Sequence, residues 1–97
     1  MNRILWSPQS LRDLDSIRAY IAQDSELYAE LVIQRLLVSV ERLAEFPESG
    51  RVVPERNDRN LREVIVRPYR IVYRLRPSLV EIATVFRGSR LFPSGTD

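Results

Sequence analysis

Arginine is the side chain with chemical capacity that this sequence supplies in quantity. All 15 of its positive charges are arginines, and its 97 residues include no lysine, histidine or cysteine. A guanidinium is a planar fork that holds carboxylate or phosphate oxygens two at a time. It can stabilise developing negative charge, but it stays protonated and cannot act as a base. The commonest general base, the thiol nucleophile and the soft metal ligands are therefore missing. Glu63 and Glu81 remain as candidate bases, yet each is expected to pair with an arginine of the next segment, Arg70 or Arg74. Tyr69 and Tyr73 are expected in the core. The carboxylates lack metal-ligand spacing, and neither a Gly-rich phosphate loop nor a Ser/His pair occurs. These residues predict no catalytic group, no metal and no cofactor, and they favour action by binding.

The charge is unevenly placed. Residues 1–50 hold five arginines against eight acids, a net −3, and residues 51–97 hold ten against five, a net +5. The basic half should meet an acidic partner. The length fits one domain, residues 1–97. No stretch approaches the roughly 18 apolar residues of a membrane span, and Met1–Ser7 lacks the basic and apolar regions of a signal peptide. A cytoplasmic protein with no membrane partner is expected, in keeping with the absence of cysteine.

The elements that must position the arginines follow from spacing. Arg3-Ile4-Leu5-Trp6 reads as a short strand. Ser7 can cap a helix that Pro8 begins, with Leu11, Leu14, Ile17, Tyr20 and Ile21 as its apolar stripe. Asp13 and Asp15 fall in its first turns, where the helix dipole favours acids. Asp24 or Ser25 can cap a second helix ending near Phe46, before Pro47. There Tyr28, Val32, Leu36, Val40 and Leu43 form one stripe, and Ile33 and Leu37 lie off it. Either the helix is covered on both sides or Ile33 and Leu37 await a partner. Residues 47–61 read as a loop. Strands follow at 62–67, 69–75 and 79–86, separated by turns at Arg67-Pro68 and Pro77-Ser78.

Two-residue turns would set the register. Tyr69, Ile71, Tyr73 and Leu75 then share a face with Phe86, Thr84, Ile82 and Val80, and this face should pack on the helices. The opposite face carries Arg70, Val72, Arg74, Ala83, Val85, Arg87, Glu63 and Ile65, with Arg74 across from Glu81. Little chain remains to cover it. Its mixture of valines and arginines reads either as β propensity on an open face or as a protein-binding surface. The fold class is α+β: an N-terminal strand and a two-helix hairpin packed on a C-terminal antiparallel sheet.

Four local patterns carry a resemblance. Residues 13–21 (DLDSIRAYI), 43–51 (LAEFPESGR), 62–64 (REV) and 69–74 (YRIVYR), with Val85 to Arg90 closing the last strand, resemble the RelE/ParE toxin superfamily, and within it the ParE branch. The likeness spans about residues 3–91. It implies a bacterial toxin of a type II toxin–antitoxin pair, a ParD-like antitoxin as partner, and DNA gyrase as target, with nucleic acid touched only indirectly. The RelE branch implies instead a ribosome-dependent mRNA endoribonuclease with basic residues on the open sheet face. Arg70 matches the arginine that begins its central strand, and Arg87 or Arg90 the arginine after its last strand. Its preceding lysines fall near Glu63 and Ile65, and its C-terminal tyrosine or histidine near Leu91 and Phe92, so this chain departs from the nuclease pattern. An inactive relative that binds only its antitoxin is a third reading.

Together the residues and the resemblance assign antitoxin binding to Arg70, Val72, Arg74, Val85 and Arg87 on the sheet and to Ile33 and Leu37 on the second helix. Target binding is assigned to Arg87, Arg90, Leu91 and Phe92.

Overall fold

Ser7 begins the first helix as expected. Its backbone is extended, and its Oγ accepts the Ser10 N–H at 3.0 Å, with Pro8 in the first turn. In the computed structural model, which describes residues 1–88, strand β1 (Arg3–Trp6) leads into helix α1 (Pro8–Ala22). Ser25 caps helix α2 (Glu26–Glu41), accepting the Tyr28 N–H at 3.0 Å. A 3₁₀ turn, Arg42–Ala44, ends the hairpin shortly before Pro47. Then come β2 (Arg51–Val52), β3 (Leu61–Val66), β4 (Tyr69–Arg76) and β5 (Leu79–Arg87).

The five strands form one sheet in the order β1-β5-β4-β3-β2. β1 runs parallel to β5, while the other pairings are antiparallel. The fold is α+β as expected, with a mixed sheet: the N-terminal strand joins the edge of the meander instead of standing apart from it. Strand β2 lies inside the segment read as loop.

The helices pack on one sheet face. Val32, Ile33, Leu36, Val40 and Leu43 meet Tyr69, Ile71, Tyr73, Val80, Ile82 and Val85 there, with Leu14, Ile17, Ile21 and Leu37 at the margin. Leu11, Tyr20 and Tyr28, expected in the stripes, stand largely exposed. Tyr73 is fully buried; its hydroxyl donates to the Pro47 carbonyl at 2.7 Å and accepts the Gly50 N–H at 3.0 Å. A Cβ at position 50 would fall 2.5 Å from that hydroxyl and 2.6 Å from the Glu63 carbonyl, so only glycine fits there.

A β-bulge corrects the register. From Tyr73 onward the pairing is the expected one, Tyr73 with Ile82 and Leu75 with Val80. The shift between Val72 and Tyr73 then sets Ile71 against Val85 and Arg70 against Phe86. One added residue sends the rest of a strand to the other face. Val85 therefore joins the helix-side core, and Phe86 leaves it.

The second sheet face is not open. Residues after β2 fold back over it, and Val53 and Leu61 bury against Val72 and Phe86, with Ala83 beside them. The Leu75 N–H donates to the Asn60 carbonyl at 2.7 Å and holds this strap down. Helix α1 seals the β5 edge where β1 ends. Ser7 Oγ donates to the Ala83 carbonyl at 2.9 Å, and the Asp13 carboxylate accepts from both Thr84 Oγ1, at 2.5 Å, and the Val85 N–H, at 2.9 Å. The first turn of α1 holds no acid, so Asp13 is an anchor between helix and sheet and not the dipole partner expected.

Candidate functional site

Most residues assigned to partner binding on the sheet are consumed within the chain. Arg70 is 8% exposed and lies at the centre of an ion-pair cluster. Its Nε donates to Glu63 Oε1 at 2.6 Å, and its two terminal nitrogens chelate the Glu55 carboxylate at 2.9 Å each. Its guanidinium also stacks 5.1 Å from the centre of the Phe86 ring. Glu63 is 1% exposed and receives Arg51 on its other oxygen. Arg74 faces Glu81 in register, but its ion-pair partner is Asp58 of the strap, at 3.6 Å, and Glu81 takes Arg76 at 3.1 Å. The expected Arg74–Glu81 bridge is replaced because the strap, absent from the sequence reading, brings in a second acid.

Val72 and Val85 are buried in the two cores and present no open surface in this chain. Ile33, taken to lie off the packed stripe, is 3% exposed and belongs to the main core, and Leu37 is half-buried against it. The stripe is broader than a single row because α2 lies against both the sheet and α1. Arg90, Leu91 and Phe92 fall outside the described residues. Of the ten residues assigned to binding, Arg87 stands exposed among those described.

The network has an electrostatic consequence. Hydrogen bonding from Arg70 holds the Glu55 carboxyl down at about 2, against an ordinary 4.5, although burial pushes the other way. The same carboxylate raises Arg70. A carboxyl whose folded pKa is depressed contributes stability above its unfolded value and loses it as pH falls toward the folded one. Stability should therefore decline between about pH 4.5 and about pH 2 as Glu55 protonates and the strap loosens. Because the side chain is 40% exposed, solvent screening reduces the contribution to about 1–2 kcal/mol. Urea denaturation at stepped pH checks this: Glu55→Gln should be weaker at neutral pH and show a flatter acid limb. An unchanged acid limb would remove Glu55 from the linkage.

A surface that can take a partner lies elsewhere, between the hairpin and the end of β5. Two adjoining grooves, which share Tyr20, Tyr69 and Arg87 as walls, make up a channel here. The larger, about 840 Å³, runs between α1 and β5 and is lined also by Asp13, Ile17 and Phe86. The smaller, about 240 Å³, passes under the hairpin turn beside Tyr28, Val32 and Arg35. Tyr20 is 69% and Tyr28 54% exposed. Arg35 is oriented by a 3.4 Å hydrogen bond to the Arg67 carbonyl. Exposed tyrosines beside arginines over an apolar floor form the usual composition of a protein hot spot. The sequence reading missed Tyr20, Tyr28 and Arg35 by counting the tyrosines as core. The available signal was their position at either side of the Asp24-Ser25 hairpin turn, where a helix face runs out of cover. Among the described residues, no cluster of acids suits a metal ion, and no helix is long and apolar enough to cross a membrane.

Comparison with known proteins adds the family. A family model described as the ParE toxin of the type II toxin–antitoxin system parDE matches residues 4–92. The toxin RelE2 of Caulobacter vibrioides is 39% identical over 92 residues, which cover 94% of this chain and 100% of that protein. A Sinorhizobium fredii protein named as toxin Y4kP is 41% identical over 93 residues, 94% of this chain and 93% of its own. In fold, the chain is similar to a solved structure of a chromosomal ParDE system from P. aeruginosa, with a TM-score of 0.74 at 20% identity over 90% of this chain and 96% of the other. Matched along nearly its whole length, the chain belongs to the ParE toxin family of type II toxin–antitoxin systems.

Proposed function

We propose that this ParE-family toxin acts by binding DNA gyrase, and that a ParD-like antitoxin neutralises it by docking in the tyrosine–arginine channel. The engagement of Arg70 supports binding over catalysis. The resemblance to RelE-type ribonucleases would give this arginine to an RNA phosphate on an open face. Here its donors are directed at Glu55 and Glu63, beneath a strap whose Val53 is fully buried. A guanidinium held by two carboxylates is poorly placed to stabilise a third anion. Arg87 borders the channel and is the assigned residue shared by antitoxin and target. With Arg90, Leu91 and Phe92 it makes up the proposed gyrase contact, so antitoxin and target would compete for one edge of the molecule.

A second reading, ribosome-dependent mRNA cleavage, is favoured by one observation: a 39% identical relative carries the name RelE2. The two readings separate in parallel assays of the purified toxin. Gyrase supercoiling should be inhibited in proportion to toxin and restored by the cognate antitoxin, while mRNA on ribosomes stays intact. Codon-specific cleavage products without gyrase inhibition would replace the first reading with the second.

A further inference from the structure

We infer that the free edge of β3 accepts an extended, acidic segment of a partner protein by strand addition. β3 is six residues long, but β2 pairs only with Arg62 and Glu63. Val64, Ile65 and Val66 have β4 on one side and, among the described residues, no strand on the other. Their backbone orientation follows from the pleat. The Leu61 carbonyl points to the β2 side, where it accepts the Val53 N–H at 3.0 Å. The N–H and C=O of one residue point together and alternate along a strand. Ile65, like Leu61 and Glu63, therefore presents both groups to the open side. Its side chain is 43% exposed, unusual for a large aliphatic residue in mid-strand. Sheet edges are normally blunted by charge, proline or a covering loop, and here β2 stops short of doing so.

Two hollows flank this edge. One, about 370 Å³, opens on the helix side and is lined by Ser39, Arg42 and Leu43. The other, about 620 Å³, opens on the opposite side and is lined by Arg67, Pro68 and Arg70. Ile65 and Arg51 border both. An added strand needs this arrangement: main-chain groups to pair with and a recess on each side for alternate side chains.

Charge selects the occupant. Arg42, Arg51 and Arg67 are exposed, and the one acid lining the hollows, Glu63, is buried and engaged by Arg51 and Arg70. The edge is thus positive and calls for carboxylates. A nucleic acid offers phosphates but no main-chain donor for the Ile65 carbonyl. A second copy of this chain would bring the same three arginines and repel. The larger hollow at this edge adjoins the channel at Pro68 and Tyr69. Ile65, the residue that carries the inference, lines neither of the channel's grooves, and the inference does not depend on the function proposed for that channel.

The probe is an acetylated nine-residue peptide alternating valine and glutamate, titrated into the full chain and followed by amide NMR. Binding should shift the Ile65 amide and slow its hydrogen exchange at least about tenfold, the scale of one good hydrogen bond. Two further peptides, N-methylated at alternate residues in opposite parity, should differ at least about tenfold in affinity, because only one parity removes the groups facing Ile65. The double variant Arg42→Glu, Arg67→Glu alters exposed side chains and should keep the native spectrum while weakening the unmodified peptide at least about tenfold. Four results would each overturn the inference: no shift at Ile65 up to millimolar peptide, equal loss with both parities, tighter binding of oligothymidylate than of peptide, or self-association of the chain that protects Ile65 without peptide.

Discussion

Replacement of Arg70 by alanine should destabilise the domain by about 3–5 kcal/mol. Glu63 beneath it has no exposed side-chain surface. Without Arg70 its carboxylate keeps a single cation, Arg51, whose own side chain is 61% exposed. Breaking a buried pair from one side strands a charge in a medium that solvates it poorly, so the loss far exceeds the net value of the pair. The strap would lose its bidentate anchor at Glu55 as well. For a small domain whose whole stability is on the order of 5–15 kcal/mol, this is a large fraction. Urea unfolding measures it directly. Removing the opposing charge too, as in Arg70→Met with Glu63→Met, should recover most of the loss. A cost below about 1 kcal/mol for Arg70→Ala would mean that the cluster is solvated in a way its burial does not indicate. Loss of antitoxin binding in Arg70→Ala would accordingly report a loosened sheet and not a removed contact.

The second large effect concerns the channel. Tyr28→Ala combined with Arg87→Glu should weaken antitoxin binding on the order of a thousandfold, since hot-spot tyrosines and arginines each contribute about 2 kcal/mol or above. Both side chains are exposed, so stability should change by no more than about 0.5 kcal/mol per substitution. Calorimetric titration against the cognate antitoxin, paired with a melting curve, separates the two quantities. A decrease of less than about fivefold, with the fold intact, would move the antitoxin off this surface.

Local signals in the sequence carried the framework. Ser7-Pro8 and Ser25 mark both helix starts, Pro47 follows the hairpin, and Pro68 and Ser78 sit in the turns between strands. Alternation over residues 62–86 located the meander. What failed was long-range. The bulge at Val72/Tyr73 leaves no trace in a pattern where Ile82, Ala83, Thr84 and Val85 are all acceptable in either direction, so a one-residue slip went unseen and misassigned Val85. Strand β2 is two residues long, too short for any period to reveal. The strap it leads into hides Val72, captures Arg70 and Arg74, and turns a seemingly open face into a second core. Strand spacing displays the arginines of that face but carries no sign of the strap that engages them. The exposed tyrosines at the hairpin turn were read as apolar stripe, since helical spacing fixes the side of a residue but not where cover ends.

On the proposed mode of neutralisation, the antitoxin occupies the channel between the hairpin and the end of β5 and leaves the strapped sheet face untouched. Hydrogen–deuterium exchange of the toxin, free and with its cognate antitoxin, tests it most directly. Exchange should slow in residues 17–35 and 84–87 on binding and stay unchanged in 53–62. Protection concentrated in the strap and in β3, with the hairpin turn exchanging as in the free chain, would contradict it.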